Sequence, residues 1–246
     1  FQLFLPIEQR QQLLVLVLLT ADEPLILYQL QTLAQVSRTT ILKDLDNLDD
    51  WLAEHNLELE RRPNYGIWIS GTEQARRGAL GAWLWGETPL GRPLTNMTHS
   101  EGLVFSMKED TNLLPLVKKA NEIIKKWDTR RTFGQVTYAE SMLNGRFTDD
   151  AALYLALALA IQTERTQHQS CIKIDNKNLN WLKTLSVWPI AQNIARRLGW
   201  GNTLNWPDTE IALIAMHLLA TPRNDRWPGD LDIDDSFSGL IDTLIQ

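Results

Sequence analysis

Apolar residues recur at helical spacing in the first part of the chain, where they predict three helices over residues 8–20, 26–35 and 37–55. A tight turn at Gln35-Val36 separates the second helix from the third, and Ser37 is a favourable N-cap for the third. The third helix carries one apolar stripe, formed by Ile41, Leu45, Leu48 and Leu52. These patterns predict a small helical core.

An alternating segment follows the three helices. Leu57 and Leu59 alternate with polar residues, the residues from Arg61 to Gly66 have turn chemistry, and Ile67-Trp68-Ile69 returns as a second strand. Three helices followed by a β-hairpin is the order of a winged helix-turn-helix. A further helix is predicted over residues 73–86.

The rest of the chain is patterned for helices. Residues 87–111 are rich in Thr, Gly, Pro and Ser and predict an irregular connector. Beyond it, helices are predicted over residues 112–127, 149–166, 177–199 and 207–221. The fold class expected is therefore mainly α, with a winged helix-turn-helix followed by an all-helical bundle.

The domain boundaries follow from the same patterns. We expect a winged helix-turn-helix domain over residues 1–86, a connector over 87–111 and a helical domain over 112–228. Residues 229–246 are expected to form a linker and the start of a further domain, because an acidic stretch there leads into an unfinished helical pattern. The chain is accordingly expected to be a piece of a longer protein.

Composition narrows the classes of function. The net charge is −6 over 246 residues, which argues against a general polyanion binder. Cys171 is the single cysteine, so the chain has neither an internal disulfide framework nor a thiolate metal cluster, and a cytoplasmic location is expected. The apolar segment Gln12–Leu19 is too short to span a bilayer, so no membrane partner is expected.

The start of the third helix is the predicted DNA-reading element, since the first residues of a recognition helix meet base edges in the major groove. Arg can read guanine, and Thr can contact a thymine methyl group or a phosphate. The predicted DNA-binding residues are Arg38, Thr39, Thr40 and Lys43 on the helix, with Arg61 and Arg62 at the base of the wing contacting phosphates.

A second interpretation of this module remains open. Residues 1–80 contain 7 Lys and Arg against 11 Asp and Glu, a net charge of −4. Five acidic residues crowd the third helix: Asp44, Asp46, Asp49, Asp50 and Glu54. Such a helix repels phosphate, so the module is equally open to a role in packing or dimer contacts.

No constellation for catalysis or metal binding is present in the sequence. It has no HExxH motif and no glycine-rich phosphate loop, and His55, His99 and His168 have polar neighbours. His217 differs, because it lies in an apolar run seven residues after Glu210 on the same helical face. The chain is therefore expected to be no enzyme and to have no metal site and no cofactor, and His217 alone is ordinarily a half-buried structural histidine.

Several segments together resemble a known family. AQVSRTTILKDLDNLDDWL followed by RRPNYGIWISG is similar to the winged-helix region of the BglG/mannitol-operon-activator group of transcription regulators. TEIALIAMHLLA resembles the second histidine motif of a phosphotransferase-system (PTS) regulation domain, or PRD, with His217 in the histidine place. LALALAIQTER resembles the first motif, but Ala158 occupies its histidine position.

The resemblance implies a fragment of a DNA-binding regulator of a sugar-utilisation operon. Its implied partners are operator or promoter DNA, the PTS phosphocarrier proteins and a second copy in a homodimer. His217 is the implied phosphorylation site, Arg165 the implied partner of the phosphate, and residues 229–246 open a further PRD. The alternative is a dimerisation and interaction scaffold with a degenerate PRD, which Ala158 and the acidic third helix favour.

Overall fold

The computed structural model describes residues 5–85, 127–199 and 205–223, the backbone of two short strands, Asn96–Thr98 and Gly102–Val104, and the isolated residues Glu122 and Lys125. The described chain is mainly helical, as predicted. It divides into two compact units. The first is built from the helices and hairpin before residue 86, and the second from the helices after residue 127.

Among its described residues, the first unit has five helices and one hairpin. In chain order these are α1 (Ile7–Thr20), α2 (Leu27–Ala34), α3 (Arg38–Asp46), α4 (Asp49–Glu54), β1 (Leu57–Arg62), β2 (Gly66–Gly71) and α5 (Glu73–Trp85). α1 is the central element, and it packs against α2, α3, α5 and β2. Six of its seven apolar residues between Leu13 and Leu19 are almost fully buried, which explains why this part of the helix is apolar on nearly every side.

The predicted third helix is divided into two, so its extent over residues 37–55 was wrong. α3 ends at Asp46, and the Asn47 N–H bonds back to the carbonyls of Leu45 and Lys43. α4 then begins at Asp49 without a side-chain cap. The predicted apolar stripe is confirmed, because all four of its residues are buried across the break: Ile41, Leu45, Leu48 and Leu52. Burial of the stripe therefore does not require a continuous helix.

The predicted hairpin is confirmed. β1 and β2 pair antiparallel, with Leu57 opposite Gly71 and Arg62 opposite Gly66. Leu25 adds a bridge to Ile67, with main-chain hydrogen bonds of 2.9 and 2.8 Å in the two directions. Gly66 has φ +140°, and a Cβ there would lie 2.8 Å from the Pro24 side chain, so the close approach requires glycine.

The second unit contains five described helices, α6 (Thr129–Leu143), α7 (Asp149–Gln167), α8 (Asn176–Thr184), α9 (Trp188–Leu198) and α10 (Asp208–Ala220). The sequence patterns did not predict α6, which Asp128 caps by accepting from the Arg131 N–H. The predicted helix over 177–199 is divided at Leu185, whose backbone is extended, and Pro189 in the first turn of α9 suits a new start. The predictions for α7 and α10 are confirmed within one residue.

α7 and α10 lie antiparallel. The Thr148 N–H before α7 donates to the Pro222 carbonyl after α10, at 3.3 Å. At the other end, the Gln162 side chain donates to Glu210 in the first turn of α10. Contacts at both ends fix the register of the two helices.

Some predictions lie outside the described residues. These are the helix over 112–127 apart from three single residues, the connector over 87–111 apart from the two short strands, and the segment 229–246. Within the described part of the chain, no helix is both long enough and apolar enough to cross a membrane.

Candidate functional site

The junction of α2 and α3 is built from local sequence signals. Gln35 adopts a left-handed conformation at the end of α2, and its N–H bonds to the Gln31 carbonyl. Ser37 then caps α3, because its hydroxyl oxygen accepts from the Thr40 N–H at 3.2 Å and lies 2.9 Å from the Thr40 hydroxyl. Only three residues, Gln35 to Ser37, therefore separate the two helices, and they hold the start of α3 in a defined direction.

The exposed face of α3 carries most of the predicted DNA-binding residues. Arg38, Thr39 and Lys43 are exposed, whereas Thr40 is half-buried with its hydroxyl at the cap. Neither Arg38 nor Lys43 has an ion-pair partner among the residues that the structure describes. At about 100° per residue, Thr39 and Lys43 are about 40° apart around the helix and face away from Ile41, whereas Arg38, in the first turn, lies about 140° from Lys43. α3 thus exposes two cations that have no ion-pair partner among the described residues, one in its first turn and one on the side opposite the core.

Asp44, one of the five acidic residues that argued against DNA contact, lies in the core. Its carboxylate accepts from the Arg10 guanidinium at 2.6 Å and 2.9 Å, and both side chains are buried. Arg10 also donates to the Leu5 carbonyl at 2.9 Å. The hydrogen bond from Asp44 raises the pKa of Arg10 although burial opposes this. Asp44 therefore contributes no charge to the exposed face.

The break between α3 and α4 moves three more acidic residues off the proposed DNA-reading helix, since Asp49, Asp50 and Glu54 all lie on α4. Asp46, the last residue of α3, pairs with Arg61 of the hairpin at 2.6 Å. Arg61 is therefore engaged with a carboxylate, and the structure does not present it as a free phosphate ligand.

Arg62 has a different setting from Arg61. Neighbouring residues of a strand point to opposite faces, so Arg62 shares its face with Glu58 and Glu60. Arg62 is exposed, and its guanidinium lies 5.8 Å from the centre of the Tyr65 ring. Tyr65 in turn packs edge-on against Trp68 at 5.2 Å. The tip of the hairpin thus carries one cation in an ordered aromatic setting.

α2 contributes a neutral surface next to α3 that the sequence patterns did not single out. A shallow groove of about 600 Å³ is lined by uncharged residues of both helices: Tyr28, Gln31, Thr32, Gln35, Val36, Ser37 and Thr40. Tyr28 is 72% exposed. The spacing of Tyr28, Gln31 and Gln35 at i, i+3 and i+7 was the sequence signal that could have indicated this surface.

The second predicted site lies on α10, where His217 is half-buried between buried neighbours. Glu210 is fully buried, and it accepts from the Gln162 amide at 2.8 Å and from the Ile172 N–H at 2.8 Å. Asp208 lies in the first turn of α10 and does not cap it. Pro207 is the N-cap and makes no side-chain bond, while Asp208 pairs with Lys183 at 2.5 Å.

The antiparallel register separates Arg165 from His217. Arg165 lies three residues beyond Gln162 in one direction, and His217 lies seven residues beyond Glu210 in the other. At about 1.5 Å per residue the two Cα atoms are about 15 Å apart along the helices, too far for side-chain contact. Ala158 is about 5 Å from the level of His217 by the same count. His217 thus lies nearer along the helices to Ala158 than to Arg165, which is buried.

The other histidines have local roles. His55 stacks on Trp51 with ring centroids 4.1 Å apart, and His168 lies 4.0 Å from Glu164 of the preceding turn. His99 lies outside the described residues. Among the residues described, no group of three or more His, Cys, Asp or Glu side chains is arranged to hold a metal ion.

Comparisons with known proteins show what the second unit is similar to. Residues 134–221, which run from within α6 to just after α10, match the family model of the PRD domain. This stretch of the chain is therefore similar to the PRD domain. It is also 25% identical over 218 residues to a probable licABCH operon regulator of Bacillus subtilis (strain 168). That match covers 88% of this chain and 30% of the relative, so the chain spans less than a third of the relative's length.

Proposed function

We propose that the chain is the DNA-binding and PTS-responsive part of a transcription regulator of a sugar-utilisation operon. In this proposal the first unit is a winged helix-turn-helix, in which α3 is the recognition helix and the β1–β2 hairpin is the wing. The observation that carries it is the distribution of charge on α3. Arg38 and Lys43 are exposed and have no ion-pair partner among the described residues, whereas the neighbouring acids are buried, paired or displaced to α4.

The proposed DNA contacts divide by type. Arg38, Thr39 and Lys43 reach base edges or nearby phosphates from the start of α3. Thr40 contributes through its methyl group, since its hydroxyl is at the cap. The neutral groove along α2 faces the DNA backbone, because the helix before a recognition helix crosses the phosphates. Arg62 contacts a phosphate from the wing, whereas Arg61 serves Asp46.

The proposed regulation centres on His217. Phosphotransferase carriers would transfer a phosphoryl group to an imidazole nitrogen, which adds negative charge and acceptor oxygens at a half-buried position. The neighbouring helices must then rearrange or supply donors. Because Arg165 is about 15 Å away along the helices, it is not proposed as a partner of this phosphate within one chain. The proposal includes a homodimer in the cytoplasm, and no catalysis.

A scaffold without DNA contact is the second candidate. Ala158 replaces a histidine of the first PRD motif, and Glu58 and Glu60 share the wing face with Arg62. Both features suit a module that only dimerises or packs within a longer regulator. The two candidates differ in whether this chain alone binds DNA with sequence preference.

Selection from a randomised duplex pool tests the DNA proposal. The 246-residue chain is expected to enrich a defined sequence, and Arg38→Gln should weaken binding to it by about 5- to 150-fold, from about 1–3 kcal/mol for a base contact. Thr163→Ala, in the second unit, is the control. If no sequence is enriched at low salt, the scaffold is the better account.

Intact mass tests the phosphorylation proposal. The chain is incubated with phosphoenolpyruvate, enzyme I and the phosphocarrier protein. Wild type and His168→Ala should each gain one phosphoryl group, and His217→Ala should gain none. Absence of any gain with active carriers would remove His217 as the sensor and favour a degenerate PRD.

A further inference from the structure

The Asp46–Arg61 ion pair joins the end of the proposed recognition helix to the proposed wing. The Arg61 Nη1 atom lies 2.6 Å from an Asp46 carboxylate oxygen, with 33% and 62% of the two side chains exposed. The residues beyond Arg61 in the hairpin tip are exposed or half-buried. On the opposite strand, Ile67 pairs with Arg61 and is held to Leu25 by two main-chain hydrogen bonds. Asp46–Arg61 is therefore the described side-chain connection from the outer half of β1 to α3.

The position of Asp46 makes the pair more informative than an ordinary surface contact. A carboxylate in the last turn of a helix is unfavourable, because the carbonyl end of the helix dipole is negative. A guanidinium at that end offsets both the dipole and the carboxylate. Arg61 can approach there because it lies on the same face of the hairpin as Leu57 and Leu59, turned towards the helices.

We propose that Arg61 and Asp46 are positioning residues that set the angle between the wing and the recognition helix, so that Arg62 and Arg38 engage DNA together. This inference rests on the proposed DNA-binding function. It reverses the expectation from charge alone. Simple electrostatics predicts that removing the Asp46 carboxylate tightens binding to a polyanion, whereas loss of the pair frees the wing and weakens binding.

The affinities of five variants for the selected duplex separate these accounts. Asp46→Asn and Arg61→Gln should each weaken binding by about two- to fivefold, the range of an exposed ion pair. The double variant should be no worse than either single one, because both remove the same contact. Asp46→Glu keeps the carboxylate and should bind the duplex about as tightly as wild type does. Arg62→Gln is the matched control, and it alone should lower the salt slope, by about one.

The opposite sign would overturn the inference. If Asp46→Asn tightens binding while Arg61→Gln weakens it and lowers the salt slope, Arg61 is a phosphate ligand that Asp46 competes for. Unchanged affinity in both variants would also overturn it. Equal urea midpoints for all variants would show that altered affinity does not come from unfolding.

A measurement without DNA makes the inference testable even if the proposed function fails. Spin labels are placed at Lys43→Cys and Asn64→Cys in a Cys171→Ser background, and the distance between them is measured by pulsed electron resonance. If the Asp46–Arg61 ion pair holds the wing, the distribution of label-to-label distances should be narrow in the parent protein. It should broaden in Asp46→Asn and stay narrow in Asp50→Asn. An unchanged distribution on Asp46→Asn would show that the pair does not hold the wing, whether or not the chain binds DNA.

Discussion

The α3 face and the His217 region differ in how the fold uses the residues that we assign to function. Arg38 and Lys43 are exposed and free of ion pairs among the described residues, so the fold does not depend on their side chains. His217 is half-buried on a helix whose neighbouring residues are almost all in the core. A change at Arg38 or Lys43 should therefore alter binding alone, whereas a change at His217 should alter stability as well.

Asp44 and Lys43 give the sharpest form of this comparison, because they are adjacent on one helix. Asp44→Ala leaves Arg10 charged in the core without its carboxylate, and should lower the free energy of unfolding by about 3–5 kcal/mol. Lys43→Ala should change it by less than about 0.5 kcal/mol. Urea unfolding followed by circular dichroism measures both. Equal midpoints would mean that the two faces of α3 are not energetically distinct.

Glu210 and Asp208 allow the same comparison between a buried and an exposed residue in the second unit. Glu210→Ala removes the acceptor of the Gln162 amide and the Ile172 N–H, at about 1–3 kcal/mol for each buried donor left unsatisfied. The matched control is Asp208→Ala, two residues away, which loses an exposed pair with Lys183 worth about 1 kcal/mol or less. Thermal unfolding of the two variants at neutral pH compares them. A cost for Glu210→Ala no larger than the control would contradict its structural role.

The two regions were also unequally predictable from sequence. On α3, the Ser37 cap, the apolar stripe and the exposed basic residues are properties of one segment, and local patterns predicted them correctly. The pairing of Asp44 with Arg10, 34 residues away, carries no local signal. It was therefore impossible to see from the sequence that one acid of the third helix is buried. Residue spacing likewise placed His217 on α10 but could not give its register against α7.

The helix boundaries show the same limit. The stripe from Ile41 to Leu52 keeps helical spacing across the break at Asn47, so periodicity predicted one helix instead of two. Pro189 was the available signal for the start of α9, since proline favours the first turn of a helix. α6 was missed because polar residues occupy much of its sequence and its core contacts come from α7 and α9.

A variant at Ser37, the N-cap of α3, should have a smaller effect on stability. Ser37→Ala removes the acceptor of the Thr40 N–H, and should lower the free energy of unfolding by about 1 kcal/mol. Thr39→Ala, exposed on the same turn, should change it by less than about 0.5 kcal/mol. Urea midpoints of the two variants give the comparison. If Thr39→Ala is the more costly, the exposed face of α3 supports the fold after all, and the contrast with α10 is lost.

Asp175 caps α8 with a carboxylate, and replacing this cap should have the smallest effect on stability. Because a carboxylate titrates and a serine hydroxyl does not, the effect should depend on pH, unlike that of the Ser37 cap. The Asn178 N–H, with help from the Asn178 side chain, holds the pKa of Asp175 below its ordinary value of 3.8. A depressed pKa in the folded state means that this stabilisation is present above about pH 3.8 and is lost as the pH falls through the folded pKa. Asp175→Asn keeps a capping side chain without the charge. The difference in urea midpoint between wild type and Asp175→Asn should therefore shrink as the pH is lowered from 5 to about 2.5, and a difference that stays constant over that range would show that the carboxylate's charge contributes nothing to the cap.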